Sequence, residues 1–186
     1  MVPTMEQAHV LLSKHMANDA LLKHAYAVSG VCRHFADKFG EDTEYWAAVG
    51  LLHDLDYERY PDEHCKKTAE IMAEEGLDPA FIRAVVSHGW GLCYDVEPIS
   101  TMEKVLYATD ELCGLINAAA LMRPSKSVMD IEYSSVNKKF KDPRFAAGVN
   151  RDVIKNGAAM LGMELKDLID ETILGMRKVA AEIGLA

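Results

Sequence analysis

The sequence has no Cys-x-x-Cys pair, no Gly-rich phosphate loop, no Gly-x-Ser-x-Gly elbow and no internal repeat. The first absence disfavours a zinc ribbon or a dithiol redox centre, so Cys32, Cys65, Cys93 and Cys113 read as scattered buried or semi-buried free thiols. The others disfavour P-loop nucleotide binding, an α/β-hydrolase and a solenoid. No run approaches the roughly 18 consecutive apolar residues of a membrane-spanning helix. The N-terminus carries Glu6 and no basic-then-apolar signal pattern, so no membrane partner is expected and the expected location is cytoplasmic. Positive charge is scarce: 20 Lys and Arg stand against 29 Asp and Glu, a formal net charge of -9. That balance argues against a nucleic acid polymer or an anionic membrane as partner, since both need clustered cations. An anionic small molecule would need local help from metal ions or a few placed cations. With six prolines and no Gly/Ser-rich or Pro-rich linker, the 186 residues are expected to form one domain, 1–186.

What is present is helical periodicity. Thr4-Met5-Glu6-Gln7 has the capping-box pattern and opens a helix to about Met16, with His9 and His15 read as solvated. A second helix starts at Asn18 or Asp19, carries Leu21, Leu22, Ala25, Val28, Cys32, Phe35 and Phe39 on one stripe, and stops at Gly40; His34 falls on its surface. A third runs from Asp42 or Thr43 into His53-Asp54. Pro61 suits the first position of a helix reaching Gly76, and Asp78-Pro79 opens another to about Ser87. Ser100-Thr101-Met102-Glu103 is a second capping box, before an apolar helix that Pro124 ends. Residues 123–148 read as mixed and polar, followed by helices at about Arg151–Leu161 and Glu164–Ile183. No strand is expected, and the fold class is all-α.

Val49-Gly50-Leu51-Leu52-His53-Asp54 stands out within that pattern. A helix without a polar face is buried on every side, and a glycine inside it suggests close approach by a neighbouring backbone. An ionised Asp54 at the end of such an element is costly unless it is paired or holds a cation, and neutral imidazole is the commonest metal ligand. Further along the chain, His24 adjoins an apolar stripe, His64 and His88 flank a helical hairpin, and Asp110 lies among apolar neighbours where it needs a partner. Four histidines and two carboxylates suffice for two metal ions with coordination positions left open.

In this order the residues resemble the HD-domain superfamily of metal-dependent phosphohydrolases, defined by a His...His-Asp...Asp pattern that His24, His53-Asp54 and Asp110 match. Two histidines between the dipeptide and the last aspartate mark its dinuclear subset, and His64 and His88 occupy those places. The resemblance covers about residues 20–121, leaving 122–186 as a C-terminal helical extension packed on that core. It implies a helical bundle with the metal site at its centre and one or two divalent transition metal ions (Fe, Mn, Co, Ni or Zn). It also implies His53 and Asp54 as the catalytic pair, Asp54 bridging the two ions, and hydrolysis of a small phosphate ester or nucleotide by a metal-activated hydroxide. The family's common Gly and Lys after the dipeptide are replaced by Leu55-Asp56-Tyr57-Glu58-Arg59. Arg59 therefore either stands in for that lysine or pairs with Glu58 or Glu63 at the surface.

Lys104, Arg123 and Lys126 are the other cations considered for a phosphorylated small-molecule substrate, with a solvated cap and loop as the alternative. Trp90 could stack on a base or plug the packing. Two other functions stay open: a di-iron oxygenase cleaving a C–C or C–P bond with the same six ligands, and a non-catalytic ligand-sensing module. The sequence does not fix the oligomeric state, and a homodimer is one assembly open to it.

Overall fold

The computed structural model describes residues 1–186, and the fold is all-α. Its helices are α1 (Met5–His15), α2 (Asp19–Phe39), α3 (Thr43–Leu52), α4 (Lys66–Glu74), α5 (Pro79–Val86), α6 (Thr101–Leu121), α7 (Tyr133–Phe140), α8 (Arg151–Leu161) and α9 (Leu165–Lys178). Single 3-10 turns occupy Pro61–Glu63 and Ser87–Gly89. The helix starts follow from side chains that satisfy otherwise orphaned amides. Asn18 accepts from the amides of Ala20 and Leu21, and Asp42 from those of Glu44 and Tyr45. Both expected capping boxes form, Thr4 with Gln7 and Ser100 with Glu103. Glu103 is also a tertiary anchor: it is buried, accepts from the Ile99 and Ser100 amides and pairs with Arg83 of α5.

At the centre α3 packs against α2, with Trp46 to Leu52 all buried. The expected backbone approach at Gly50 is present. A Cβ there would sit 3.0 Å from the Val28 carbonyl oxygen, the Ser29 Cα and the Cys32 Sγ of α2. Gly50→Ala is therefore expected to push α2 and α3 apart and cost about 1–3 kcal/mol. Urea denaturation would register this as a lower midpoint at unchanged slope. α6 lies against α2 and α8, and α9 against α2. Ile154, Ala158, Leu168, Ile169, Ile173 and Met176 from the last third thus share one buried cluster with the core of α2, α3 and α6.

The structure departs from the expected elements in three places, and from the expected burial at two histidines. The helix expected from Pro61 to Gly76 is broken: after the 3-10 turn, His64 is extended (ψ 145°) and Cys65 takes φ 66°, so α4 starts only at Lys66. The cause is Asp56, a buried carboxylate whose two oxygens accept from the Thr68 amide (2.8 Å) and from His64 Nδ1 (2.7 Å). It caps α4 from outside and turns His64 inward. α7 was hidden in a polar stretch because only Val136 and Phe140, one turn apart, are buried on it. α9 stops at Lys178, where turns lead to a chain end pinned by bonds from Val128 N and Ser127 Oγ to the Leu185 carbonyl. Two histidines read as surface residues are half-buried: His15, and His34, which meets Glu171 of α9 at 2.7 Å.

Candidate metal centre

Five segments meet at one cleft of about 450 Å³, with His24, Asp54, His64, His88 and Asp110 in its wall and His53 fully buried beside them. His24 comes from the second turn of α2, His53 and Asp54 from the end of α3, and Asp110 from the middle of α6. His64 comes from the break before α4 and His88 from the 3-10 turn after α5. The turn after His53 is held by Glu58, which accepts from the Ala17 and Asn18 amides at the start of α2. α2 and the end of α3 are thereby fixed relative to each other.

The ring nitrogens show what these residues are set up to hold. His53 Nδ1 lies 2.8 Å from the Gly50 carbonyl and His88 Nδ1 2.7 Å from that of Val85. A carbonyl oxygen only accepts, so Nδ1 carries the proton in both rings and Nε2 of the neutral ring is a bare lone pair. Asp56 imposes the same tautomer on His64. The lone pairs of His64 and His88 face each other, Nε2 to Nε2 at 3.0 Å, and His53 Nε2 lies 3.2 Å from His24 Nε2, which also meets Asp110 Oδ1. Two lone pairs at such distances repel unless a cation lies between them.

Asp54 connects the two histidine pairs. Its Oδ2 is 3.3 Å from His53 Nε2 and 3.8 Å from His24 Nε2, while its Oδ1 is 3.4 Å from His64 Nε2 and 3.7 Å from His88 Nε2. Asp110 Oδ1 completes the first group, 2.9 Å from His24 Nε2 and 3.4 Å from His53 Nε2. The result is two adjoining donor groups that share one carboxylate: His24, His53, Asp54 and Asp110 in the first, His64, His88 and Asp54 in the second. The electrostatics agree with the geometry. Burial opposes the charged forms, but the carboxylates of Asp54 and Asp110 raise His53 well above the usual histidine range. Burial likewise opposes charge on Asp54 and Asp110, yet the facing histidines hold both carboxyls below the ordinary range. His64 is raised despite its burial, chiefly by its bond to Asp56 and by the charge of Asp54. Without a metal the centre holds protons where it would otherwise hold cations, so the donors fit metal ions.

The five candidate substrate contacts lie elsewhere. Arg59 donates to the Lys14 carbonyl (2.6 Å), tying down the end of α1. Lys104 is six residues before Asp110, roughly 240° round the helix from it, and is absent from the cleft wall. Arg123 pairs with Asp130 (2.8 Å), and Lys126 is an exposed turn residue at φ 52°. Trp90 packs on Tyr107, ring centroids 5.8 Å apart. The cleft is walled instead by Leu21, Tyr57, Leu92, Cys93 and Glu111 beside the donors, with neither Lys nor Arg among them.

The HD domain family model matches residues 21–114, just over half of the chain. The chain belongs to the HD-domain family. The matched span contains all six donors, and α7 to α9 fall outside it. A tRNA (cytidine(56)-2'-O)-methyltransferase from Picrophilus torridus is also similar, 27% identical over 137 residues that cover 65% of this chain and 40% of the relative. The chain therefore spans well under half the length of that protein. No solved structure matches it.

Asp56 is inconspicuous in the sequence. Its only signal was a carboxylate two residues beyond the dipeptide and next to apolar Leu55, which acquires meaning only once His64 is seen to leave the helical path. Asp56→Asn keeps the shape but cannot accept from both Thr68 N and His64 Nδ1. We expect about a 10–100-fold weaker hold on metal at the His64 and His88 group, with little change at the other. Metal content after dialysis against graded chelator measures this directly.

Proposed function

We propose that this HD-family protein is a metal-dependent hydrolase that cleaves a small phosphate ester or nucleotide in the cleft over the two donor groups. The observation that carries the reading is Asp54, which offers one oxygen to each of two facing histidine pairs. Metal ions bound there would supply Lewis-acid activation of water and of a phosphoryl oxygen. The chain contributes the rest. His53 and His88 are fixed in tautomer by the Gly50 and Val85 carbonyls, and His64 by Asp56, so none of the three has to reorganise. Glu111 stands at the cleft beside Asp110, and its carboxyl is raised by burial and by that neighbour. It is placed to hold a proton near the substrate.

The wall also narrows the substrate. With Asp54, Asp110 and Glu111 at the cleft and no basic side chain to offset them, an anionic group can be met only at the centre itself. A compound with one compact phosphate and an uncharged remainder against Leu21, Tyr57 and Leu92 suits this better than an extended polyanion. The test is turnover of phosphomonoesters, nucleotides and dinucleoside polyphosphates by protein loaded with manganese, cobalt, nickel or iron. Fully loaded protein without hydrolysis across that panel would overturn the reading. The same lack of basic residues favours, as a second reading, the di-iron oxygenase, whose substrate need not be held as a phosphate. Oxygen-dependent turnover that stops under anaerobic conditions would select it.

A further inference from the structure

Cys65 is the residue at this centre that neither the ligand pattern nor the hydrolytic reading uses. Its side chain is fully buried, and its Sγ lies 3.8 Å from His88 Nε2, within the space where His64 and His88 converge. Its backbone is unusual, since φ 66° with ψ -41° is a region that non-glycine residues avoid at a cost of about 1–3 kcal/mol. That conformation turns the Cys65 thiol inward directly after His64. Gly89, next to His88, leaves the room: a Cβ there would come within 2.7 Å of Cys65 Sγ and 2.9 Å of Cys93 Sγ. The two core thiols contrast with this, for Cys32 and Cys113 lie buried within the apolar cluster.

We propose that Cys65 is a sulfur donor to the metal ion held by His64 and His88. The proposal rests on the two-group metal centre described above and adds a ligand to one half of it. Metal–sulfur and metal–nitrogen bonds of about 2.3 and 2.0–2.1 Å in a tetrahedral site place the two ligand atoms roughly 3.5 Å apart. The Cys65 to His88 separation needs only a small contraction to meet that. The thiol proton leaves to solvent as the metal binds, and no electron is transferred. The two halves of the centre then differ in kind. The first offers two nitrogens and two carboxylate oxygens, the second two nitrogens, one oxygen and one sulfur, which favours softer ions such as zinc, cobalt or ferrous iron over manganese.

Cobalt titration of the full-length metal-free protein tests this, read by absorbance and by metal content, with a phosphine reductant keeping Cys65 and Cys93 as thiols. Wild type and Cys93→Ser are expected to develop a sulfur-to-cobalt charge-transfer band. Cys65→Ser should bind cobalt at the first group without that band and hold the second equivalent about 10–100-fold more weakly. Manganese should displace cobalt from the second group less readily than zinc does. The wild-type and Cys93→Ser spectra decide the matter even if Cys65→Ser does not fold. Two cobalt equivalents with no such band would overturn the sulfur ligand and leave the metal centre standing. A band lost in Cys93→Ser would also overturn it, by assigning the sulfur to Cys93. No cobalt bound at all would overturn both the ligand and the centre.

Discussion

Asp54→Ala is expected to remove metal from both donor groups at once and to lower hydrolysis by on the order of 10³-fold or more, the several kcal/mol that bound cations contribute to such a reaction. The size of the effect follows from its position. Every other candidate ligand serves a single group, so His88→Ala or Asp110→Ala leaves the remaining group with its donors, whereas Asp54 has one oxygen in each. Folding should survive. Asp54 lies at the end of α3 and makes no helix cap there, and its loss removes a buried charge as well as a partner. The histidine it faces responds in a known direction: His53 is raised partly by Asp54, so in the variant its value falls back toward that of an ordinary buried imidazole. Metal content and kcat/KM, measured together, check the prediction. Asp54→Ala protein that keeps a full metal equivalent and most of its turnover would show that the two groups are independent and the carboxylate is not shared.

The contrast between what could and could not be read from the residues has a physical basis. Helix starts at Thr4, Asn18, Asp42, Asp78 and Ser100 are local events in which a side chain bonds an amide two or three residues on, so the sequence displays them directly. The six donors were legible as a set because an ordered pattern of histidines and aspartates on apolar elements has few uses, and the structure brings five of them to the wall of one cleft with His53 buried against His24. Long-range competition was not legible. The break at His64 and Cys65 depends on Asp56 bonding Thr68 twelve residues away, while local periodicity favoured an unbroken helix. The surroundings of the candidate cationic contacts were not legible for a related reason. Arg59, near the place of the family's lysine, and Arg123, just past the end of α6, are each occupied by a partner, the Lys14 carbonyl and Asp130, that sequence spacing does not reveal.

Stripping the protein of metal is expected to lower its melting temperature by about 10–20 °C near pH 8. A ligand present at a hundred times its dissociation constant stabilises the folded state by about 2.7 kcal/mol, so two sites contribute roughly 5 kcal/mol. In a chain of this size each kcal/mol moves the midpoint by about 2–4 °C. The difference should shrink toward pH 6, for two reasons that act in the same direction. His53 and His64 are raised in the metal-free protein, so as pH falls their Nε2 atoms take up protons that compete directly with metal. A histidine whose folded value lies above its unfolded one also stabilises the metal-free fold below the unfolded value and loses that contribution as pH rises through the folded one. Acid therefore weakens the metal-bound protein while supporting the metal-free one. Thermal melts with and without a chelator at both pH values measure the gap, and a gap that widened on acidification would mean that the metals, if bound, are not held by these histidines.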